Sequence, residues 1–410
     1  MPWPSFILAA LSLLIWVVLT FARGAFWQLH AFDDDQSGPQ PLTNMPRVTA
    51  IIPARNEAEA IAQIIESILG QDYAGDLRIV VVDDHSEDGT GQIAWEAARR
   101  ARAEHRVEVI AAEALPPGWT GKLWAMQQGV AKARWHAADY LWFTDADIRQ
   151  APDTLSRLLR RAETQRLDMV SLMVLLETKS LAEKLLIPAF LYFFLKLYPP
   201  KWVANPKSQA AGAAGGCVLL KREALERIGG LERIRGEVID DCSLAITVKQ
   251  SGGKLWLGLT RKSVSLRGYA SFVEIRDMIA RTAYTQLGYS PLLLAGALLG
   301  MFLTYCVPAI FTFSPNPVIW RMSLATWSLM ATTYLPTVRF YGLSPLWVPA
   351  LPAAALFYSY STWLSAVRYW MGRGGQWKGR SQAPARASRP AIAAGQAKSS
   401  RETPENILQR

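Results

Sequence analysis

The sequence predicts an α/β fold with a mostly parallel sheet, preceded by an apolar helix and followed by an apolar helical region. In the middle of the chain, short apolar runs alternate with segments whose apolar residues recur at helical spacing, as in parallel strands joined by helices. On both sides, weakly charged stretches approach the ~20 residues that a helix needs to cross a bilayer. With 410 residues, half of them hydrophobic, the chain is long enough for both parts.

The first apolar stretch, residues 6–22, contains no charged residue. A signal peptide is the competing interpretation, but no Lys or Arg precedes the stretch and no clear small-residue cleavage site follows it. We therefore expect residues 1–24 to form a retained N-terminal transmembrane helix. Arg23 follows the span, which predicts that the next domain lies on the cytoplasmic side.

The central region shows a regular order of elements. Strands are predicted at 48–52, 78–82, 107–111, 140–144 and 169–176. Helices are predicted at 58–68, 90–103, 122–135 and 152–164. A glycine-rich turn, a strand and a short helix follow within 210–231, and a helix and a strand within 236–257. In parallel sheets, ligands bind beyond the carboxyl ends of the strands, so polar residues at these ends are candidate functional residues.

The segment LWFTDADIR, residues 141–149, places Asp145 and Asp147 at the end of a strand built for burial. A carboxylate costs several kcal/mol to desolvate unless it is paired or bound to a metal. Mg²⁺ or Mn²⁺ suits this spacing, because such ions are held by few carboxylates and by substrate phosphates. The alternative is a solvated turn in which Asp caps the next helix.

Two further motifs follow strand ends. In IVVVDDHSEDGT, one of Asp83 and Asp84 faces the ligand crevice, because neighbouring strand residues point to opposite sides. That carboxylate either accepts hydrogen bonds from a nucleobase or ribose, or forms an Asx turn. In PARNE, residues 53–57, Asn56 either caps the following helix or contacts a nucleotide.

Two helix starts carry charged residues. Lys122 in GWTGKLWA lies at a predicted helix start. The complete G-x-x-x-x-G-K-[ST] motif is absent, which excludes a P-loop. A lysine at a helix start is nevertheless suited to bind a diphosphate. Asp240 and Asp241 in EVIDDCSLA begin another helix, where carboxylates favour the positive end of the dipole. They are either helix caps, or one is a general base within reach of the proton that it removes.

Arg276 and Arg281 lie just before the second apolar region. A guanidinium here either binds a leaving diphosphate bidentately or is a basic residue at a membrane boundary. Residues 181–198 combine apolar side chains with three charges and a proline. We expect an interfacial helix that guides a lipid acceptor, with a buried helix of the domain as the alternative.

Residues 290–370 are predicted to form C-terminal transmembrane helices, with candidate spans at 291–313, 318–338 and 345–366. Three crossings would place the basic end of the chain outside, so we expect one segment to be re-entrant or interfacial. Residues 371–410 are rich in Ala, Pro, Gly and Ser, and they predict a disordered basic tail that is attracted to an anionic membrane surface.

The composition excludes several classes of function. The net charge is +10, but no basic helix or aromatic stacking platform accompanies it, so nucleic-acid binding is not expected. The three cysteines form no C-x-x-C pair and indicate a reducing compartment. The four histidines are scattered, which argues against a zinc site.

Six segments, in this order, resemble family 2 glycosyltransferases with a GT-A fold: VTAIIPARNE, IVVVDDHSEDGT, GKLWAMQQG, FTDADI, GAAGGCVLLKREALERIGG and EVIDDCSLA. The resemblance covers about residues 46–285, which we expect to form a Rossmann-like GT-A domain. With the flanking apolar regions, the chain is most similar to the hopanoid-biosynthesis-associated type, and it also resembles ceramide glucosyltransferases. The resemblance implies a metal-dependent, inverting membrane enzyme that moves one sugar from a nucleotide-sugar donor to a membrane lipid. It further implies a multi-pass protein of a bacterial-type inner (plasma) membrane, with the catalytic domain in the cytoplasm.

The resemblance also implies roles for individual residues. These are Asp84 for the donor base; Asp147 and Asp145 for a Mg²⁺ or Mn²⁺ ion; Pro53, Arg55, Glu57, Lys122 and Asp145 for the donor nucleotide; Asp241 as general base; Gly215, Gly216 and Asp240 for the acceptor pocket; and Arg281 for the diphosphate. Many membrane members carry Gln-x-x-Arg-Trp around this arginine, whereas here Met278 and Thr282 replace the Gln and the Trp. This departure argues against polymer synthesis.

Two other functions compete with this interpretation. A polyprenyl-phosphate sugar synthase needs the same donor site. A non-catalytic nucleotide-sugar-binding membrane protein does not need Asp145, Asp147 and Asp241 together. The presence of all three carboxylates therefore argues against such a protein.

Overall fold

The computed structural model describes residues 3–29, 44–373, 376–377 and 380–381. The predicted strands and helices of the central region are confirmed to within about one helical turn, with two exceptions: a short strand at Ile148–Arg149 has no predicted counterpart, and the last strand extends to Ser265, beyond the predicted end at 257. The eight strands are β1 (Val48–Ala54), β2 (Leu77–Asp83), β3 (Val107–Ala111), β4 (Tyr140–Thr144), β5 (Ile148–Arg149), β6 (Met169–Leu175), β7 (Cys217–Lys221) and β8 (Leu255–Ser265). They form one sheet in the order β3-β2-β1-β4-β7-β6-β8-β5.

The strand directions define one edge of this sheet. β1, β2, β3 and β4 are parallel to one another, β7 runs antiparallel to both β4 and β6, and β6 is parallel to β8. The carboxyl ends of β1, β2, β4, β6 and β8 therefore meet the amino end of β7 at the same edge. The predicted α/β class is confirmed as a mixed α/β, GT-A-like fold, in which four of the seven strand pairings are parallel.

Helices cover both faces of the sheet. They are α2 (Ile61–Leu69), α3 (Thr90–Arg100), α4 (Gly121–Trp135), α5 (Thr154–Gln165), α8 (Arg222–Arg227) and α9 (Asp240–Gln250). Apolar residues of α2, α3 and α5 pack with Ile52 on one face, and those of α4, α8 and α9 pack with Ile51 on the other. Because successive strand residues point to opposite faces, both faces of β1 are buried.

Helix α6 (Leu181–Leu197) lies between the sheet domain and the C-terminal helices, and the prediction of an interfacial helix is wrong. Most of its side chains are buried, and the Tyr192 hydroxyl lies 2.8 Å from Thr333 Oγ1. The Tyr358 hydroxyl donates to Leu186 O at 3.0 Å. Apolar residues on all sides of this helix find protein partners, so it is the buried helix that the sequence left as the alternative. The short helix α7 (Pro200–Ala204) follows it.

Two of the described helices are long and apolar enough to cross a membrane by length and composition: Trp3–Phe21 (α1) and Pro291–Phe311. The second consists of α11 (Pro291–Met301), a π-helical turn and α12 (Val307–Phe311). The two helices touch, because Trp16 Nε1 donates to Thr304 O at 2.7 Å. That carbonyl lies in the π turn, where the regular helical hydrogen bonds are interrupted.

The remaining elements are α10 (Phe272–Gln286), α13 (Pro317–Phe340), α14 (Leu351–Trp370) and the short strands β9 (Gln376–Trp377) and β10 (Arg380–Ser381). Of the three predicted C-terminal spans, the first has a helix that meets the criteria of length and composition. The proline-rich segment before α14 is a 3₁₀ helix, Pro345–Ala350. β9 and β10 pair, and residues 382–410, which hold most of the predicted tail, lie outside the described part.

Candidate active site

The predicted acidic residues are brought together at the sheet edge defined above. Asp84 follows β2, and Asp145 follows β4. Gly215 precedes β7, because β7 runs in the opposite direction to β4. A small cavity opens at this edge; it is lined by Pro53, Lys122, Met126, Phe143, Thr144, Asp145, Gly215, Val218, Asp240, Asp241 and Leu244.

Lys122 joins two of the acidic motifs. From the first turn of α4, its Nζ lies 2.9 Å from Asp145 Oδ1 and 3.2 Å from Asp240 Oδ2. Burial alone would lower the pKa of Lys122, but the nearby carboxylates, Asp145 first, outweigh burial and raise that pKa. The lysine therefore stays protonated, and it holds the start of α9 against the loop after β4.

Asp241 is held by two backbone N–H groups. Its Oδ2 accepts from Gly215 N and its Oδ1 from Cys242 N, both at 2.7 Å. Burial and the charge of Asp240 raise the pKa of Asp241 to about 6, against the opposing charge of Lys122. A carboxylate fixed in one orientation, with a pKa close to neutral, suits a general base.

Asp147 lies in the turn between β4 and β5. Burial, Asp145 and Glu57 raise its pKa to about 6, and Arg267 opposes this rise. Within the residues that the structure describes, no group of three or more His, Cys, Asp and Glu side chains is arranged to hold a metal ion. Magnesium sites often use one or two carboxylates together with substrate phosphates, so Asp145 and Asp147 are a fitting donor pair.

Asp84 and Asp83 have different surroundings, as their alternation predicts. Asp84 is 2% exposed, and its Oδ1 lies 3.2 Å from His85 Nδ1. Arg55 Nη1 donates to the Asp84 carbonyl at 2.5 Å, which ties the end of β1 to the end of β2. Asp83 Oδ1 accepts from Ser86 N at 2.9 Å and forms the turn that was the alternative for this pair.

The prediction that Asn56 caps α2 is wrong, since α2 begins at Ile61. Asn56 has a φ of 52° in the left-handed region, and its Oδ1 accepts from Glu87 N at 2.9 Å. Its own N–H donates to Ser86 Oγ at 3.0 Å. Asn56 thus joins the loop after β1 to the loop after β2, and this long-range pairing delays the start of the helix.

The two predicted pocket glycines point in different directions. A Cβ on Gly215 would lie 3.2 Å from Asp241 Oδ2 and 3.5 Å from Lys122 Nζ. A Cβ on Gly216 would instead lie 3.2 Å from Ile148 Cγ1, inside the sheet domain. The structure therefore places Gly215, and not Gly216, against Asp241, where the missing side chain leaves room.

The two arginines of α10 also differ. Arg276 and Arg368 both pair with Asp277, at 2.9 Å and 2.6 Å, and so connect α10 to α14. Arg281 lies one turn further along α10. Its positive charge and that of Arg267 both influence the pKa of the Tyr269 hydroxyl. Burial raises the pKa of Tyr269, and these two arginines oppose that rise.

Arg267 and Tyr269 are further candidate residues that the sequence analysis did not name. They follow β8, whose carboxyl end lies at the same edge as that of β4. The rule that ligands bind beyond the ends of parallel strands would have identified them. The sequence predicts this strand only within 236–257, whereas β8 continues to Ser265. The predicted strand end therefore falls short of Arg267 and Tyr269.

In open α/β sheets, ligands bind beyond the carboxyl ends of the strands, which is where this cluster of acidic residues lies. Residues 49–229 match the family model described as Glycosyl transferase family 2. Residues 49–229 are therefore similar to family 2 glycosyltransferase domains, in agreement with the resemblance of the sequence motifs.

Three similar proteins illustrate the likeness. The succinoglycan biosynthesis protein ExoO of Rhizobium meliloti (strain 1021) is 32% identical over 142 residues, which are 33% of this chain and 37% of ExoO. A 4,4'-diaponeurosporenoate glycosyltransferase of Staphylococcus aureus (strain USA300) is 34% identical over 105 residues, 26% of this chain and 25% of that protein. A mannosyltransferase from Pyrobaculum calidifontis, solved with GDP-Man and Mn²⁺, is 21% identical with a TM-score of 0.49, covering 85% of this chain and 99% of that one. The chain thus matches less than two fifths of the length of these two curated relatives.

Proposed function

We propose that this protein is an inverting glycosyltransferase that moves a single sugar from a nucleotide-sugar donor to a membrane lipid. The observation that carries the proposal is the position of Asp241. Its carboxylate is held by Gly215 N and lies beside Lys122, which pairs with Asp145. A candidate base and a candidate diphosphate site therefore border one cavity.

In the proposed reaction, an acceptor hydroxyl loses its proton to a carboxylate oxygen of Asp241 as its oxygen attacks the anomeric carbon. The new glycosidic bond forms while the bond from that carbon to the diphosphate oxygen breaks, and the electron pair leaves with the nucleoside diphosphate. A single displacement of this kind inverts the anomeric centre. Lys122 stabilises the negative charge that develops on the departing diphosphate. Gly215 leaves space for the acceptor beside Asp241.

The donor nucleotide would lie along the sheet edge from Asp84 to Asp145. We assign Asp84 to contacts with the nucleobase of the donor. We assign Pro53, Arg55 and Glu57 to the adjoining contacts with the nucleotide. Arg281 is assigned to the diphosphate, and Asp240 to the acceptor side of the cavity.

Asp147 and Asp145 would hold a divalent metal ion. Mg²⁺ or Mn²⁺ bound there supplies positive charge that neutralises the diphosphate. The fit rests on the placement of Asp147, which is largely buried with Asp145 and Glu57 nearby; burial first and then these two carboxylates raise its pKa, and a cation would relieve the crowded negative charge.

We further propose that residues 1–24 anchor the domain of residues 46–285 on the cytoplasmic side of a bacterial-type inner membrane. Residues 290–370 would add further membrane helices, and the basic residues beyond them would favour an anionic surface. The exposed side chains of α1 support this placement, since Ile7, Leu14 and Phe21 are more than half exposed. A lipid is the acceptor that such an anchored enzyme meets, and the hopanoid-associated type, HpnB, is the proposed subfamily.

The test is a donor and acceptor screen with the full chain in detergent. Released nucleoside diphosphate is measured with UDP- and GDP-sugars, Mg²⁺ or Mn²⁺, and bacterial lipid extracts, and mass spectrometry identifies the glycosylated lipid. We expect one donor to be consumed by the wild type and not by Asp241→Asn. A product on polyprenyl phosphate would instead identify a polyprenyl-phosphate sugar synthase. A folded wild-type protein that releases nucleoside diphosphate from no donor would overturn the proposal.

A further inference from the structure

Arg267 emerges beside Asp147 because the strand pairing fixes its position. β5 and β8 are antiparallel, with Ile148 opposite Ser265. One residue further on, Leu266 N donates to Asp147 O at 2.8 Å. The chain that carries Arg267 is therefore hydrogen-bonded directly to the turn that carries the candidate metal and diphosphate residues.

A second anchor holds this loop on the other side of Arg267. The buried carboxylate of Glu183 accepts from Tyr269 N at 2.5 Å, and Ser180 Oγ donates to Tyr269 O at 3.0 Å. Because the backbone is fixed both at Leu266 and at Tyr269, the intervening arginine projects from a rigid segment. Preorganised groups of this kind bind a ligand with a smaller loss of entropy.

The guanidinium of Arg267 is available for a ligand. The side chain is exposed, and its Cζ lies 5.7 Å from the ring centre of Tyr269. Within the part of the chain that the structure describes, the guanidinium of Arg267 forms no hydrogen bond or ion pair. The guanidinium of Arg276, in contrast, is paired with Asp277. An arginine presents a fork of donors that matches phosphate oxygens bidentately.

The two carboxylates spaced by one alanine each have one cation nearby. Lys122 is bonded to Asp145 and also to Asp240, so its charge is already shared between two anions. Arg267 follows Leu266, whose N–H donates to the Asp147 carbonyl at 2.8 Å, so it approaches the pair from the side of β8. A diphosphate placed over the two carboxylates would therefore find its uncommitted positive charge on the β8 side.

We propose that Arg267 binds the diphosphate of the nucleotide-sugar donor and stabilises the leaving nucleoside diphosphate. This assignment rests on the proposed function, and it adds to Lys122 and Arg281 a third cation from a separate element. Tyr269 orients the guanidinium through its ring face.

The test compares diphosphates with nucleosides. Isothermal titration of the full chain, with Mg²⁺ present, measures the affinity for UDP, GDP, uridine and guanosine. Arg267→Ala should weaken binding of the preferred nucleoside diphosphate by about 10- to 100-fold, because one charge-assisted contact is lost, and should leave the nucleoside affinity unchanged. Arg267→Gln, which keeps a polar side chain but removes the positive charge, should behave like the alanine variant, and Arg267→Lys should lose less.

Lys262→Ala is the matched control. This exposed lysine lies on β8, the strand that precedes Arg267. Its Nζ is 3.0 Å from Asp153 Oδ2, outside the cavity. It should leave all four affinities unchanged. If the wild type binds a nucleoside diphosphate and Arg267→Ala binds it equally well, or loses nucleoside affinity in parallel, the role of Arg267 is excluded while the proposed function stands. If the wild type binds neither UDP nor GDP, the proposed function fails and this inference fails with it.

Discussion

Lys122 Nζ lies 2.9 Å from Asp145 Oδ1, although the two residues belong to different elements, the first turn of α4 and the loop after β4. The same ammonium group reaches Asp240 at the start of α9. Three separate segments are thus held together by one buried cation. The predictions below follow from this arrangement and from the hydrogen bonds around it.

Replacing Lys122 by methionine should destabilise the protein and shift its pH dependence. The change leaves two carboxylates without their cation, and we expect the free energy of unfolding to fall by about 2 kcal/mol, a value reduced for the partial exposure of Asp145. Since Lys122 lowers the pKa of Asp241, its loss should also move the acidic limb of the activity profile to higher pH. Denaturant unfolding and pH–rate profiles measure the two effects. An unchanged profile in a folded variant would contradict the coupling.

Asp241→Asn should reduce kcat by about 10²- to 10⁴-fold, because the amide cannot accept the acceptor's proton. Nucleoside diphosphate binding, measured by titration, should stay close to the wild-type value, since Asp241 lies on the acceptor side of the cavity. Glu237→Gln, an exposed acid before α9, is the control and should be fully active. Equal loss of binding and turnover in the Asp241 variant would remove the assigned role.

The rate of transfer should rise with pH through about 6, the pKa to which burial and Asp240 raise Asp241. The base works only when it is ionised, so activity is lost on the acidic side. The sign for stability is the opposite. The folded pKa lies above the ordinary value of 3.8, so ionising Asp241 lowers the free energy of unfolding as the pH rises from about 4 to 6. A pH profile of kcat/KM, which reports the pKa values of the free enzyme, that stays flat from about pH 5 to 7 would argue against Asp241 as the base.

Gly215→Ala should lower kcat by about tenfold, because the new Cβ would lie 3.2 Å from Asp241 Oδ2 and displace it by a fraction of an ångström. The melting temperature should change little. Gly296→Ala is the matched control, since a Cβ there meets no atom within 4 Å and the residue lies in a helix. If both variants keep full activity, the close approach at Gly215 has no functional role.

Glu183→Gln should cost about 2 kcal/mol of stability at pH 7, because the buried carboxylate accepts from the N–H groups of Lys179, Ser180 and Tyr269. These hydrogen bonds lower its pKa despite burial, so its stabilising effect is present above the ordinary value of 4.5 and is lost as the pH falls further. The difference in stability between variant and wild type should therefore shrink below that pH.

Glu274→Gln is the control for this change. It occupies the same position in the Ser271 helix start, but at the surface, and it should cost less than about 0.5 kcal/mol. Chemical denaturation at several pH values measures both variants. Equal costs for Glu183 and Glu274 would show that burial of Glu183 does not matter.

The amino-acid sequence by itself determined the elements of the sheet domain and the edge at which the site lies. Alternation of short apolar runs with helical periodicity is a local property, and the strands from Val48 to Leu175 were predicted almost residue by residue. The rule for parallel strands then placed Asp84 and Asp145 at a common edge without knowledge of any contact.

Only the tertiary structure decided which side chains meet, because those contacts join segments that are distant in the chain. The hydrogen bonds of Asn56 to the next loop delay α2, and the C-terminal helices bury α6 on sides that its composition left open. The reversed direction of β7 brings Gly215 to Asp241, and the full length of β8 carries Arg267 to Asp147. Strand direction and register depend on long-range pairing, which short-range sequence patterns do not encode.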